Sequence, residues 1–340
     1  MYKDRTNHTI AAADKETAGA ADKETAGATD KETAGATDKN VKLITQYIQA
    51  LLINVNRHTT PSTINLIFDN GAVNGVLGIG AALYIHNLEQ NGYFEVKKVS
   101  GSSIGSLIGL WYIYGCPEEL YHLSDSLFNY YKKHKNFYIY ETIVKKVVDY
   151  LIPDDNVSKL TNRMYINYYD TKKRKFCVIS HYKNKGHLIT CILRSSHVPF
   201  LTCQEHKYQG RYIDGMVPYI FSDQNPNLFV KLINFTDPFN CMQVKHEQNI
   251  YSRLLRGVVG ANDFFVNGDT RICSYIKDTY GLTNLNFYLR KQVIFIILAL
   301  MDWILIIHSH IPLSMQNTSY YNNIMLLSKT IWNCLQNKLV

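Results

Sequence analysis

The stretch VKKVSGSSIGSLIGLWYIYG, residues 96–115, decides the fold of this chain. A valine-rich run ends abruptly in small residues, and a long apolar run follows at once. The pattern predicts a strand at 94–100, a sharp turn and a helix at 104–114. Ser103 lies in the turn as the serine of Gly-x-Ser-x-Gly, in the context that presents a nucleophile. The alternative is a structural turn whose serine caps the helix.

The same strand, turn and helix order precedes this stretch. INLIFDN (64–70) predicts a buried strand, and residues 76–90 predict a helix after a turn rich in Gly and Asn. Such a succession predicts an α/β fold with a mainly parallel central sheet covered by helices. Further along, 175–180 and 187–193 are interpreted as a strand pair, and 227–235 as a buried strand. Active sites of such folds lie at the carboxyl ends of the strands.

The ends of the chain differ from its middle. Residues 14–39 repeat every eight residues without a large apolar side chain, which predicts a disordered tail over 1–40. We expect an amphipathic helix near Val41, a catalytic domain over 41–290 and an apolar helical end over 291–340. The amino terminus has no apolar segment of the kind that directs secretion.

Composition narrows the function classes. The net charge is +8, with −2 in residues 1–40 and +10 in the rest. A basic body suits an anionic membrane surface or nucleic acid, or is simply a solvated surface. The seven cysteines are scattered and include no Cys-x-x-Cys pair, which argues for reduced thiols and against a zinc site. We therefore expect an intracellular protein in the cytoplasm or at the periphery of a membrane, in the host cytoplasm if the gene is viral.

The first glycine-rich turn, DNGAVNGVLGIGAAL (69–83), fits neither common phosphate motif. Gly75 and Gly80 are not followed by the Lys-Ser/Thr of a phosphate-binding loop, and Gly78-Ile79-Gly80 lacks the third glycine of the dinucleotide fingerprint. What remains is a strand-to-helix turn whose backbone N–H groups could hold an oxyanion.

A nucleophilic serine needs a base. His246, His308 and His310 lie downstream, but none has a recognisable context. Asp214 follows a short predicted hairpin in KYQGRYIDGMVPYI (207–220). The Asp-Gly pair is also typical of a β-turn, so both interpretations are open at this point.

Three blocks in this order resemble the patatin-like phospholipases, a family of lipid acyl hydrolases. They are DNGAVNGVLGIGAAL, VSGSSIGSLIGL and YIDGMVP, and a weaker fourth is ILRSSHVPFL (192–201). The resemblance covers residues 64–235, half of the chain. It implies a three-layer α/β/α domain that cleaves acyl esters of phospholipids or neutral glycerolipids.

The resemblance also implies a Ser–Asp dyad. Ser103 would attack the ester carbonyl, Asp214 would accept its proton, and the N–H groups of Gly71 and Ala72 would form the oxyanion hole. No cofactor, metal or nucleic acid is implied. The motif glycines are Gly75, Gly101, Gly105 and Gly215.

The chain departs from the family at four positions. Asn70 and Ala72 replace glycines, Asn74 replaces a cation, and Met216 stands where the family prefers Gly or Ala. A positive φ at Asn70 or Ala72 would be strained. A catalytically weak or inactive membrane- or lipid-binding protein on the same fold is therefore the alternative. A triad hydrolase of soluble esters, in which His246 or His310 is essential, is a third hypothesis.

One segment suggests membrane contact. VIFIILALMDWILII (293–307) is almost unbroken apolar sequence after Arg290 and Lys291, although Asp302 interrupts it. It is short for a spanning helix. A buried core helix, an interfacial helix and a span remain open, and the basic residues 172–175 are interpreted as a hairpin turn that could touch headgroups.

Overall fold

The structure is a computed structural model that describes residues 42–56, 60–115, 117–234, 237–277 and 282–311. By its contacts the chain divides after Tyr47, and the following description concerns the unit that begins at Ile48. The predicted tail, residues 1–40, and the end of the chain from 312 lie outside the described residues.

Seven strands of the described part form one mixed sheet in the order β4-β3-β2-β1-β6-β7, with β5 paired to β3. The four central strands are parallel, and β4, β5 and β7 pair antiparallel. The mainly parallel sheet predicted from the sequence is thus confirmed. The strands are β1 (Thr63–Phe68), β2 (Glu95–Gly101), β3 (Met164–Asp170), β4 (Lys175–Ile179), β5 (Tyr212–Asp214), β6 (Asn227–Val230) and β7 (Cys273–Ile276).

Helices connect most of these strands. A first helix, α1, covers 42–52. The others are α2 (Gly75–Gln90), α3 (Ile104–Tyr114), α4 (Pro117–His134), α5 (Tyr140–Leu151), α6 (Lys185–Ser195), α7 (Tyr251–Asn267) and α8 (Leu282–His310). Helix α2 packs against α3 and α7, and α3 packs against α5 and α6.

The interpretation of 187–193 as a strand is wrong, because these residues lie inside α6. A short apolar run does not by itself distinguish a strand from a helix. The deciding signal is Asn184, whose side chain accepts a hydrogen bond from the backbone N–H of His187 (2.8 Å) and caps the helix. The other half of the expected pair, 175–180, is β4.

Strand β5 is placed so that it meets the end of β2. On β3, the last residue of β2, Gly101, lies opposite Ile166, whereas Asp214 lies opposite Tyr168. Strand β4 pairs along one side of β3, so β5 lies on the other side of β3, next to the carboxyl end of β2. The residues after Gly101 and the carboxylate of Asp214 therefore come to one place.

Helix α8 contains the apolar run 293–307 and begins well before it, at Leu282. Phe287 of this helix packs into a cluster with Ile67 of β1 and Phe229 of β6, so its first turns belong to the core. Within the residues that the structure describes, no helix has the length and apolar character needed to cross a membrane.

Candidate active site

Ser103 occupies a sharp strand-to-helix turn between β2 and α3. Its backbone has φ 55° and ψ −129°, a left-handed conformation that is costly for a residue with a side chain. The serine makes no side-chain hydrogen bond to the start of α3. The alternative of a capping serine is therefore not what the structure contains.

The motif glycines lie where chains approach too closely for a Cβ atom. A Cβ at Gly105 would come within 2.4 Å of the Asp69 carbonyl oxygen, and one at Gly101 within 2.2 Å of the Gly105 carbonyl oxygen. Gly215 would meet the Asn167 carbonyl oxygen at 2.4 Å, and Gly75 would meet the Cγ1 of Ile104 at 2.3 Å. The contacts of Gly75 and Gly105 bring the first two sequence blocks against each other, and that of Gly215 packs the third block on β3.

Asp214 is buried and faces the serine turn. Its Oδ1 accepts hydrogen bonds from the Met216 backbone N–H (2.7 Å) and from the Ser102 hydroxyl (3.3 Å). Burial raises the pKa of Asp214 to about 7, while the Met216 N–H and the nearby hydroxyl groups of Ser103 and Ser102 partly oppose this rise. A carboxyl group with this pKa can exchange a proton near neutral pH.

The weak fourth block, 192–201, supports both residues through hydrogen bonds. The backbone N–H of Ser103 donates to the Ser195 hydroxyl (3.0 Å), and that of Asp214 donates to the His197 carbonyl (3.0 Å). Sequence reasoning assigned no role to Ser195 or His197. Their only signal was the position of the block before Asp-Gly.

The first glycine-rich turn lies beside Ser103. Within the described part of the chain, the backbone N–H groups of Gly71 and Ala72 have no hydrogen-bond acceptor. Ala72 has φ 44°, so the strain expected there is found, whereas Asn70 is not in the left-handed region. Met216 has φ 57°, which explains why a smaller residue suits that position. Two unpaired donors thus lie in the turn for which an oxyanion hole is predicted.

Two arginines support this turn, a role that the sequence analysis assigned to neither of them. Arg290 of α8 donates to the buried Asp69 carboxylate (2.8 Å) and to the Ile233 carbonyl (3.1 Å). Buried Arg253 of α7 donates to the side-chain oxygen of Asn74. Helix α7, distant in sequence, thus brings a cation to Asn74, the position at which the family resemblance led us to expect one.

A mostly apolar cavity opens in front of Ser103. It is narrow, with a volume of about 40 Å³ open to molecules of the size of water. Buried Tyr140 closes one side, and its hydroxyl lies 3.0 Å from the Ser196 hydroxyl. The lining residues come from the first glycine-rich turn, the serine turn and the start of α3, from α4, α5 and the loop between them, and from the segment after α6: Ala72, Ser103, Ile104, Leu127, Phe137, Tyr140, Ser196, Val198, Leu201 and Thr202.

The sequence offered three downstream histidines as alternative bases, His246, His308 and His310. Among the described residues, no hydrogen bond of Ser103 or Asp214 involves a histidine ring. His310 instead interacts with the Ile306 carbonyl one turn back on α8 (2.8 Å). The side chain of His308 lies outside the described residues.

Two comparisons with known proteins found no match. No protein-family model matches the chain, and no curated protein matches it.

Proposed function

We propose that this chain is a serine acyl-ester hydrolase of the patatin-like kind, a phospholipase A-like enzyme with a Ser103–Asp214 dyad. The observation that carries the proposal is the buried Asp214 carboxyl group, whose pKa is raised to about 7 and which interacts with Ser103 in a strained strand-to-helix turn. The mainly parallel sheet with helices packed against it supports a patatin-like, three-layer arrangement of the domain.

The proposed reaction has two halves. Ser103 Oγ attacks the ester carbonyl carbon while Asp214 accepts the hydroxyl proton, and the N–H groups of Gly71 and Ala72 stabilise the oxyanion. The intermediate collapses to an acyl-enzyme, and Asp214 returns the proton to the leaving alcohol. Asp214 then takes a proton from water, whose oxygen attacks the acyl carbonyl carbon. The second intermediate releases the fatty acid, and Asp214 returns the proton to Ser103 Oγ.

The cavity supports a lipid substrate. Apolar side chains such as Leu127, Phe137 and Leu201 line it in front of Ser103. A pocket of this character favours an acyl chain over a polar acyl group. We therefore propose phospholipids or neutral glycerolipids as substrates.

Labelling with a fluorophosphonate probe tests the dyad. Wild type should label, whereas Ser103→Ala and Asp214→Asn should not. Ser62→Ala and Asp154→Asn, at exposed positions, are the matched controls and should label like wild type. Labelling that persists in Asp214→Asn but disappears in His246→Ala would favour the triad hypothesis instead.

A second candidate function is a lipid-binding protein without efficient catalysis. The observation that favours it is the left-handed Ala72, because a strained oxyanion turn holds its donors less well. A wild-type protein that is folded, binds phospholipid and does not label would support this function and contradict the hydrolase.

A further inference from the structure

Helix α8 is apolar on two faces, and only one of them packs on the protein. On the inner face, Leu298 is buried, and the ring of Phe295 lies 5.0 Å from the ring of Tyr169. Asp302, which interrupts the apolar sequence, also faces inward and pairs with Lys207 (2.7 Å). The charge that interrupts the apolar sequence is therefore paired within the protein.

The outer face carries an apolar stripe among the side chains that the structure describes. We call these residues the outer stripe: Leu289, Ile296, Leu300, Trp303, Ile304 and Ile307. Each has between 37 % and 64 % of its surface exposed. Their spacing keeps them on one side of the helix over roughly 27 Å. An apolar surface of this extent marks an interaction site in a folded protein.

A basic turn lies next to the same helix. Residues 172–174, Lys-Lys-Arg, connect β3 to β4, Lys175 begins β4, and all four are exposed. The next residue, Phe176, has its ring 6.2 Å from the ring of Phe295. Packing of Phe176 against the inner face of α8 thus brings four positive charges to the helix that carries the outer stripe, although the two are far apart in sequence.

We infer that the outer stripe and the basic turn together form a docking surface for a bilayer that contains anionic lipid. An interfacial helix buries its apolar face at the level of the headgroups, and nearby Lys and Arg side chains attract anionic lipids. The inference rests on the proposed function in one respect, because it supplies the route by which a lipid substrate reaches Ser103.

Other occupants fit this surface less well. Residues 312–340 contain two lysines and no Asp or Glu, so they cannot neutralise the basic turn. A second copy of the chain would bring the same positive charges. A bilayer with anionic headgroups complements both the apolar and the charged part.

Vesicle flotation with the full chain tests the inference. The Ser103→Ala variant is used so that hydrolysis does not alter the lipid. Phosphatidylcholine vesicles are compared with vesicles that hold about one third phosphatidylserine, which carry the negative surface potential that basic residues recognise. We expect binding to the anionic vesicles.

Two double variants test the outer stripe and the basic turn separately. Leu300→Glu with Ile304→Glu should weaken binding to both vesicles by about tenfold or more. Lys172→Gln with Lys173→Gln should weaken binding to anionic vesicles by about thirtyfold at low salt and leave the weaker binding to phosphatidylcholine unchanged. Lys145→Gln with Lys146→Gln, an exposed lysine pair on α5, is the control and should change little.

Three results would overturn the inference: no vesicle binding, equal binding of all variants, or a dimer that the Leu300→Glu and Ile304→Glu changes dissociate. The last result would assign the stripe to a second copy. Fluorophosphonate labelling in solution needs no vesicle, so it reports on the dyad separately. A protein that labels but does not bind vesicles would refute only the docking surface.

Discussion

Arg290 and Asp69 form a buried ion pair that connects α8 to the start of the oxyanion turn. One guanidinium nitrogen of Arg290 lies 2.8 Å from Asp69 Oδ1, and Asp69 is fully buried. The backbone N–H groups of Leu232 and Ile233 also approach this carboxylate (3.3 Å each). The pair therefore holds the ends of β1 and β6 together immediately before Gly71.

Removal of this arginine should be costly. Arg290→Met leaves Asp69 buried without its cation, which we expect to lower the free energy of unfolding by about 3–5 kcal/mol. Chemical denaturation measures the change. The double variant Asp69→Asn with Arg290→Met removes both charges and should recover part of the loss; no recovery would show that Arg290 acts through other contacts.

Hydrolysis should depend on the protonation of Asp214. Since burial raises the pKa of Asp214 to about 7, the base is protonated and inactive in acid. With a soluble short-chain ester, kcat/KM should rise through about pH 7 and be about a hundredfold lower at pH 5 than at its plateau. A flat profile between pH 5 and 8 would contradict this assignment.

Ser102 should tune that pH dependence. Its hydroxyl donates to Asp214 Oδ1 and stabilises the charged form, so Ser102→Ala should move the midpoint of the kcat/KM profile to higher pH. Ser106→Ala is a matched control, because the Ser106 hydroxyl donates to the Ser103 carbonyl (2.6 Å) and not to the carboxylate. An equal shift in both variants would mean that Ser102 has no specific effect.

Asp214 should reduce stability as the pH rises. Its pKa is higher in the folded protein than in the unfolded chain, so folding favours the protonated form. Stability is then lost as the pH rises from about 4 through about 7. Asp214→Asn should raise the free energy of unfolding relative to wild type by at least about 1 kcal/mol more at pH 8 than at pH 5. Denaturant titrations at the two pH values measure this, and Asp154→Asn should show no such difference.

The strain at Ala72 gives a test of the oxyanion turn. Since φ is 44° there, Ala72→Gly should stabilise the protein by about 0.5–1 kcal/mol and should not slow hydrolysis. Ala81→Gly, at a buried position inside α2, should instead destabilise it by about 1 kcal/mol. Denaturant unfolding compares the two. Destabilisation by Ala72→Gly would show that the alanine methyl group, which lines the cavity, makes a stabilising contact.

Much of the fold and the location of the candidate site could be predicted from local sequence. The strands at 64–70 and 94–100 and the helices that follow them have unambiguous patterns, and the structure confirms each. The helix over 187–193 was missed because its apolar residues suit either structure, and only Asn184 distinguishes them.

The long-range supports of the site could not be predicted. Arg290 and Arg253 are isolated in sequence, and each meets its partner only after α7 and α8 have packed on the sheet. The local sequence around either arginine carries no signal for such a long-range pairing. The Ser103 and Asp214 turns, by contrast, have local glycine requirements that are visible in the sequence.

Because β2 and β5 meet on one side of β3, the candidate site can be divided between two fragments of the chain. Chain cleavage in the exposed turn at 172–174 would leave Ser103 and β3 on one fragment and Asp214 on the other. Neither fragment would hold both residues of the proposed dyad. Only the pairing of β4 and β5 with β3 would bring them together again. If the proposed acyl hydrolysis is found, the register that positions the two side chains would make it a signal of fragment complementation.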